Sequence, residues 1–281
     1  AVADADAVVV TLKERVDAAF ADAAGPGLRA VATVAVGYDN IDVPALTARG
    51  VIVAHTPGVL TDATAEITLG LLLSVTRRLG EGERLLRSGT PWSFELDFML
   101  GTGLTGSTLG IVGLGQIGRA VARRARAFGM RIVYTGRRRA PAGTEEELAA
   151  AYLPLPELLA RADVVSLHCP LTADTHHLID ADALAAMKPT AFLLNTARGP
   201  VVDEGALADA LDAGTIAGAG LDVFEREPEV HPGLLGRDDV ALAPHLGSAT
   251  VETRTAMATL AARNVVAVLR GEDPPTPVPT D

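Results

Sequence analysis

The stretch that most constrains this chain is TLGIVGLGQIG, residues 108–118. Five residues with the apolar, partly β-branched character of a buried strand run directly into Gly113, Gly115 and Gly118, and a helical pattern opens at Gln116. A G-x-G-x-x-G spacing alone carries little weight, because glycines are common. Placed between a strand and a helix it has a physical meaning. Gly113 permits a tight turn, Gly115 lets backbone approach a pyrophosphate, and Gly118 lets helix and strand touch. The N–H groups and the dipole at the helix start then face the phosphates. The competing reading, a tight strand-to-helix turn with no ligand, is the less favoured one in this context.

The same rhythm continues on both sides of the turn. Apolar runs of strand type fall at 7–10, 30–34, 51–53, 108–112, 131–134, 164–168, 191–195, 218–223 and 240–243. They are short and nearly all apolar, as strands covered on both faces are. Helical patterns lie between them. In 116–128, Ile117, Ala120, Val121, Ala125 and Phe128 share one stripe, with Arg119, Arg123 and Arg126 off it; another helix spans 203–213 and stops before Gly214. Alternation of this kind predicts an α/β protein with parallel, doubly wound sheets. Two long helices, 61–87 and 251–270, interrupt the alternation, and the proline-rich tail after Gly271 is a terminal strap or a loose end.

Bulk properties narrow the function. The formal net charge of −11 disfavours a role in gripping nucleic acid. A single cysteine, Cys169, rules out an intrachain disulfide and fits a cytoplasmic location, or simply a chain without such staples. No apolar run reaches the length of a membrane span, so no membrane partner is expected. His168, His176 and His177 have no second cluster at ligand spacing and read as polar loop histidines, with no metal site. Nothing cationic beside Cys169 marks it as a nucleophile.

The second strand of the nucleotide unit discriminates between dinucleotides. An NAD site usually carries Asp or Glu there, about 20 residues after the glycines, to receive the ribose hydroxyls. Here the strand RIVY is followed by Thr135, Gly136 and three arginines, Arg137, Arg138 and Arg139. Guanidinium groups suit the dianionic 2′-phosphate of NADP. A solvated basic turn is the alternative. Position at the adenosine end favours NADPH as cofactor, with NADH also possible.

Three further strand ends bring polar residues out of apolar runs: NTARG from Asn195, GLDVFEREP from Gly220 and APHLGS from Ala243. Together they supply what carbonyl reduction requires. Hydride arriving at a carbonyl carbon leaves charge on oxygen, which a guanidinium can polarise and an imidazolium can protonate. A neighbouring carboxylate keeps the imidazolium charged near neutral pH. Each residue alone is more often a surface or capping group; three at successive strand ends of one nucleotide fold weaken that alternative.

These motifs resemble the D-isomer-specific 2-hydroxyacid dehydrogenase family, and within it the glyoxylate/hydroxypyruvate reductases. The resemblance covers almost the whole chain, through VGYDNID (from Val36), TPGVLTDATAE (from Thr56), TLGIVGLGQIGRA, NTARGPVVDEGAL, GLDVFEREP and PHLGSAT (from Pro244). It implies two Rossmann-like domains with an interdomain cleft: a substrate domain of 1–60 plus 251–281 and a dinucleotide domain of 61–250. By resemblance, Arg198 binds and polarises the 2-oxoacid, His245 is the acid–base catalyst and Glu227 tunes it. Val36 and Gly37 offer N–H groups to the substrate carboxylate, and Asp222 holds the nicotinamide carboxamide. Gly115, Gln116 and Ile117 cradle the pyrophosphate, while Pro170, Thr196 and Gly247 line the cofactor site. The YTGRR stretch resembles the NADPH-preferring branch.

The resemblance further implies a homodimer, with the helix from Thr61 linking domains; Trp92, in a helix-poor stretch before the nucleotide unit, is read separately as packing against a partner subunit. In the family a strand and helix precede the part matching 1–10, so an edge strand of the smaller domain is expected outside this sequence. The implied reaction is reduction of glyoxylate or hydroxypyruvate to glycolate or D-glycerate. Phosphoglycerate dehydrogenase is a neighbouring alternative, and a dinucleotide-sensing corepressor is one of a different class.

Overall fold

The computed structural model describes residues 2–279. The chain divides into two compact units, Ala1–Thr61 with Ser248–Asp281, and Asp62–Gly247. Ala1, Thr280 and Asp281, at the ends of the expected substrate domain, lie outside the described residues.

In the first unit, β1 (Ala7–Val10), β2 (Ala30–Thr33) and β3 (Ile52–Ala54) pair in parallel in that order. Between them run α1 (Ala18–Ala24) and α2 (Val43–Thr47), started by Asp17 and Asp42, whose carboxylates accept the Phe20 and Ala45 N–H groups. Each cap satisfies a first-turn donor and contributes about 1 kcal/mol.

The second unit opens with α3 (Thr61–Thr76) and α4 (Leu79–Arg87). Here the expectation of one helix over 61–87 is corrected. Arg78 has a left-handed φ of 54° and the helix ends before it. The Thr76 carbonyl, which an unbroken helix would spend on residue 80, instead accepts from Thr102 N at 2.7 Å. Arg78 turns onto Glu81 through two hydrogen bonds of 2.6 and 2.7 Å. A chain segment returning at Leu100 and Thr102, where Leu100 also offers its carbonyl to Arg78, thus decides the break, which helical periodicity does not reveal.

There follow β4 (Thr108–Val112), α5 (Gln116–Ala127), β5 (Arg131–Thr135), α6 (Ala142–Leu148), β6 (Ala150–Tyr152), α7 (Leu155–Arg161), β7 (Val164–Leu167), α8 (Ala181–Ala185), β8 (Phe192–Asn195), α9 (Glu204–Asp212), β9 (Gly218–Leu221) and β10 (Val240–Leu242). The strands form one parallel sheet in the order β10-β9-β8-β7-β4-β5-β6. Strand order therefore reverses between β4 and β7, the place where open sheets of this kind bind ligands.

All nine predicted strands are present. Several end one or two residues early, because His168, Asp222 and Val223 leave the ladder for loops. β6 was not predicted; it follows α6 directly, which Ala149 ends by adopting φ 45°.

The sheet has a core on each face. Leu167, Leu193 and Leu207 belong to one, Leu109, Ile111 and Leu194 to the other. Leu193 and Leu194 are adjacent yet both buried, since successive side chains point to opposite faces. Burying each contributes about 1.5–3 kcal/mol.

α10 (Val251–Leu269), capped by Thr250, returns the chain to the first unit, where Ala261 packs against Ala32 of β2 and Ala54 of β3. The tail is a strap: Pro277 bridges Ala54, and the buried Val278 donates its N–H to the Val53 carbonyl at 2.8 Å. Among the described residues no helix is long and apolar enough to cross a membrane.

Candidate active site

Gly113 leaves β4 with φ 98°. A Cβ on it would stand 2.7 Å from the His168 carbonyl oxygen, so the turn is closed against the segment following β7. A Cβ on Gly115 would meet nothing within 4 Å, leaving open space above the start of α5. Gly115 is the N-cap of α5 and no side chain caps the helix. A helix start with open space before it and no carboxylate or hydroxyl in place suits a pyrophosphate, which the helix dipole and first-turn N–H groups attract. Residues 113–118 therefore fit the dinucleotide.

Three loops of the same unit carry the ionisable groups. The loop after β8 is set by Asn195, buried, whose side chain donates to the Arg198 carbonyl at 2.8 Å and accepts from Ala197 N at 3.0 Å. The loop after β9 brings Glu227, whose Oε1 accepts from Phe224 N at 3.1 Å. The loop after β10 brings His245 in the left-handed region, φ 54°, with its N–H donated to the Asp222 carbonyl at 2.8 Å.

His245 Nδ1 lies 2.8 Å from Glu227 Oε2. A carboxylate there holds hydrogen on Nδ1 and leaves Nε2 as the nitrogen that exchanges a proton. Burial raises the Glu227 carboxyl, but the hydrogen bond and charge of His245, the Phe224 N–H and the Arg198 charge outweigh it and hold it below the usual carboxylate range. Arg198 thus acts electrostatically on the same pair, and its Nη1 donates to the Ala197 carbonyl at 2.8 Å.

Asp222 is fully buried. Its two oxygens accept the Leu246 and Gly247 N–H groups at 2.6 and 2.7 Å. Burial pushes its carboxyl up, countered by those two N–H groups. The residue therefore clamps the chain directly after His245, a contact that motif matching does not disclose.

Two threonines of α3 were also missed. Thr64 Oγ1 donates to the Gly247 carbonyl at 3.1 Å, and Thr68 Oγ1 shares a 2.9 Å hydrogen bond with Thr196. Their spacing of four puts both on one helix face, a signal present in TDATAEIT but without meaning until the partners are known. Pro170 is exposed just beyond β7. Burial pushes the neighbouring Cys169 thiol up to about 11, consistent with an inert thiol.

At the end of β5, Arg137 and Arg138 are exposed and make no ion pair among the described residues, whereas Arg139 is paired with Glu145. His177 is bound to Glu225, with Asp203 3.7 Å away. Among the described residues no group of three His, Cys, Asp or Glu is arranged to hold a metal ion.

In the first unit, Val36 and Gly37 lie in the loop after β2. His55 Nδ1 donates to the Val36 carbonyl at 2.8 Å, and its ring meets Tyr38 edge-on. The His55 carbonyl accepts in turn from Thr276 Oγ1 at 2.6 Å and from the buried Asn264 at 3.3 Å.

A glycine turn at the reversal of a parallel sheet, joined in one unit by an imidazole–carboxylate pair under the field of an arginine, defines a nicotinamide-dinucleotide dehydrogenase of the α/β class. Residues 69–247 match the family described as D-isomer specific 2-hydroxyacid dehydrogenase, NAD binding domain. The chain belongs to the D-isomer specific 2-hydroxyacid dehydrogenase family.

Its relatives agree. It is 52% identical over 280 residues to a glyoxylate reductase of Thermococcus onnurineus, covering 98% of this chain and 83% of that protein. Among solved structures, a glyoxylate reductase from Paecilomyes thermophila matches with a TM-score of 0.90 and 39% identity, covering 97% of this chain and 83% of that one. An NADPH-dependent glyoxylate/hydroxypyruvate reductase from Sinorhizobium meliloti, in complex with NADP and malonate, matches with a TM-score of 0.86 and 40% identity over 97% and 83%. This chain is accordingly a D-2-hydroxyacid dehydrogenase.

Proposed function

We propose that this chain is an NADPH-dependent reductase of small 2-oxoacids, converting glyoxylate to glycolate and hydroxypyruvate to D-glycerate. The observation that carries the reading is the 2.8 Å pair of His245 and Glu227 with the Arg198 charge acting on it. A bound reduced nicotinamide would supply the hydride that the carbonyl carbon receives. Arg198 holds the 2-oxoacid and draws electron density toward the carbonyl oxygen. His245 Nε2 delivers a proton to that oxygen, and Glu227 stabilises the imidazolium beforehand. Val36 and Gly37 offer N–H groups to the substrate carboxylate, as the family resemblance implies. Residues 113–118 would hold the pyrophosphate and Asp222 the nicotinamide carboxamide, with Pro170, Thr196 and Gly247 lining the cofactor site, as the family resemblance implies.

The NADPH preference is supported by Arg137 and Arg138, exposed past β5 where an NAD site carries a carboxylate. The similar Sinorhizobium meliloti structure holds NADP. The test is a steady-state panel of glyoxylate, hydroxypyruvate, 3-phosphohydroxypyruvate and larger 2-oxoacids with NADPH and NADH. The highest kcat/KM is expected for NADPH with glyoxylate or hydroxypyruvate. Preference for the phosphorylated acid would favour a phosphoglycerate dehydrogenase. Binding without turnover of any acid would favour the corepressor-like alternative, and Arg198→Ala should abolish reduction while NADPH still binds.

A homodimer is part of the same proposal. Phe94 and Leu96 are 81% and 90% exposed on a segment without helix or strand, beside an exposed Trp92 stacked on Phe98 of its own chain. An apolar array of this kind is uncommon on a monomer. Sedimentation equilibrium of the wild type and of Phe94→Asp/Leu96→Asp should give a dimer and a weakened dimer; a monomeric wild type would overturn it.

A further inference from the structure

Three adjacent arginines follow β5, and they do not have equal surroundings. Arg139 is gripped by Glu145 of α6 through Nε to Oε1 at 2.8 Å and Nη2 to Oε2 at 2.9 Å. The same Glu145 Oε1 accepts the Tyr134 hydroxyl at 2.5 Å, and that hydroxyl oxygen accepts the Ala140 N–H at 2.8 Å. Tyr134 is fully buried, and its ring stands edge-on to Tyr152 of β6 at 5.5 Å. The near end of the loop is tied as well, since the Thr135 carbonyl accepts the Gly113 N–H at 2.9 Å. Both ends of the loop 135–140 are therefore held, one by the glycine turn and the other by a buried tyrosine, a glutamate and an arginine. Arg137 and Arg138, between the ties, are exposed.

We propose that Tyr134, Glu145 and Arg139 form a latch that presents Arg137 and Arg138 to the cofactor 2′-phosphate, with Arg139 a strut rather than a phosphate ligand. The proposal rests on the NADPH reading above and assigns that specificity to residues beyond the phosphate's own contacts. Two physical points carry it. A phosphomonoester holds close to two negative charges at neutral pH, and Glu145 cancels one guanidinium of three, leaving two cations to meet it. A loop held before the ligand arrives loses less conformational freedom on binding than a free one. The carboxylate suits this role, because Arg139 and then Tyr134 hold Glu145 below the usual carboxylate range against the opposing effect of burial. It therefore remains charged at neutral pH.

The experiment measures calorimetric binding of adenosine 2′,5′-bisphosphate and of 5′-AMP to the full chain, as wild type, Tyr134→Phe, Arg139→Ala, their double variant, and Glu145→Gln. Wild type should prefer the bisphosphate. Tyr134→Phe and Arg139→Ala should each weaken the bisphosphate about 3–10-fold and leave 5′-AMP within about 2-fold, the range expected for losing preorganisation rather than a direct charge contact. The double variant should lose little more than either single one, because both changes open one latch. Glu145→Gln, which keeps the side-chain shape, should show the same selective loss.

Three results would overturn the latch. These are a Tyr134→Phe that binds both probes as wild type does, a Tyr134→Phe that weakens both equally, and an Arg139→Ala loss that is far larger than and additive with that of Tyr134→Phe. The last would make Arg139 a ligand. If wild type showed no preference for the bisphosphate, the NADPH reading itself would fall and the latch with it, an outcome distinct from the other three.

Discussion

Gly199 lies against the main chain of Phe224 so closely that a Cβ on it would stand 1.9 Å from the Phe224 carbonyl carbon and oxygen. Glu225 N would be only 2.4 Å away. This contact joins the loop after β8, which carries Arg198, to the loop after β9, which carries Glu227. Backbone against backbone leaves nothing flexible to give way. Gly199→Ala should therefore destabilise by more than the ~1–3 kcal/mol of ordinary overpacking and reduce kcat/KM on 2-oxoacids by at least about 100-fold, since an ångström of misplacement has that effect. Thermal melting and steady-state kinetics check it; wild-type values in both would remove the contact from the site's construction.

Glu227→Gln keeps the side chain's shape and removes its charge. Glu227 is held below the usual carboxylate range and stays ionised at neutral pH. The variant loses the carboxylate hydrogen-bonded to His245, and with it the nearest charge opposing a protonated ring. The rate of reduction should fall about 100-fold, within the range for positioned acid–base groups. Steady-state rates of 2-oxoacid reduction by the variant and the wild type measure it. An unchanged rate would contradict the pairing.

Asp222→Asn turns an acceptor toward the Leu246 and Gly247 N–H groups into a donor at one of the two positions. An unsatisfied buried donor costs about 1–3 kcal/mol, and the chain after His245 loosens. We expect kcat to drop about 10–100-fold through displacement of His245, with intact binding of 5′-AMP as the control. Full kcat in the variant would show that the clamp is dispensable.

Asp163 joins the starts of β4 and β8 through Thr108 N at 2.8 Å and Lys188 Nζ at 2.8 Å. Burial raises its carboxyl, but Lys188 and the Thr108 N–H outweigh burial and leave it lowered. A carboxyl lowered in the folded state stabilises above its unfolded value near 3.8 and loses that contribution as pH falls through the folded value. Asp163→Asn should cost about 1 kcal/mol at pH 7, discounted for partial exposure, and the gap between variant and wild type should close in strong acid. Denaturant unfolding at pH 7 and pH 3 measures it; an equal gap at both would refute the assignment.

Much of the second unit was legible because its strands are buried on both faces. Leu193 and Leu194 must both be apolar for that reason, and such runs stand out from the polar turns around them. The glycine turn was legible for a related reason, since its spacing records backbone geometry within a few residues. Arg198, Glu227 and His245 were recognisable as ionisable groups at the ends of such runs, with their roles drawn from family resemblance.

What escaped depends on partners distant in the chain. The Thr76 carbonyl meets Thr102 and breaks a helix that local periodicity would continue. β6 exists because Ala150–Tyr152 finds the free edge of β5, not because its residues favour a strand. Thr64, Thr68 and Gly199 look ordinary until their long-range contacts are seen. By itself the sequence determined the layered α/β plan and the glycine turn, since burial and local backbone geometry are written in short-range pattern. Only the tertiary structure decided that Nδ1 of His245 meets Glu227 and that, of three exposed arginines, Arg139 is paired with Glu145 while Arg137 and Arg138 make no ion pair among the described residues, because hydrogen bonds depend on tenths of an ångström between loops that the chain order leaves apart.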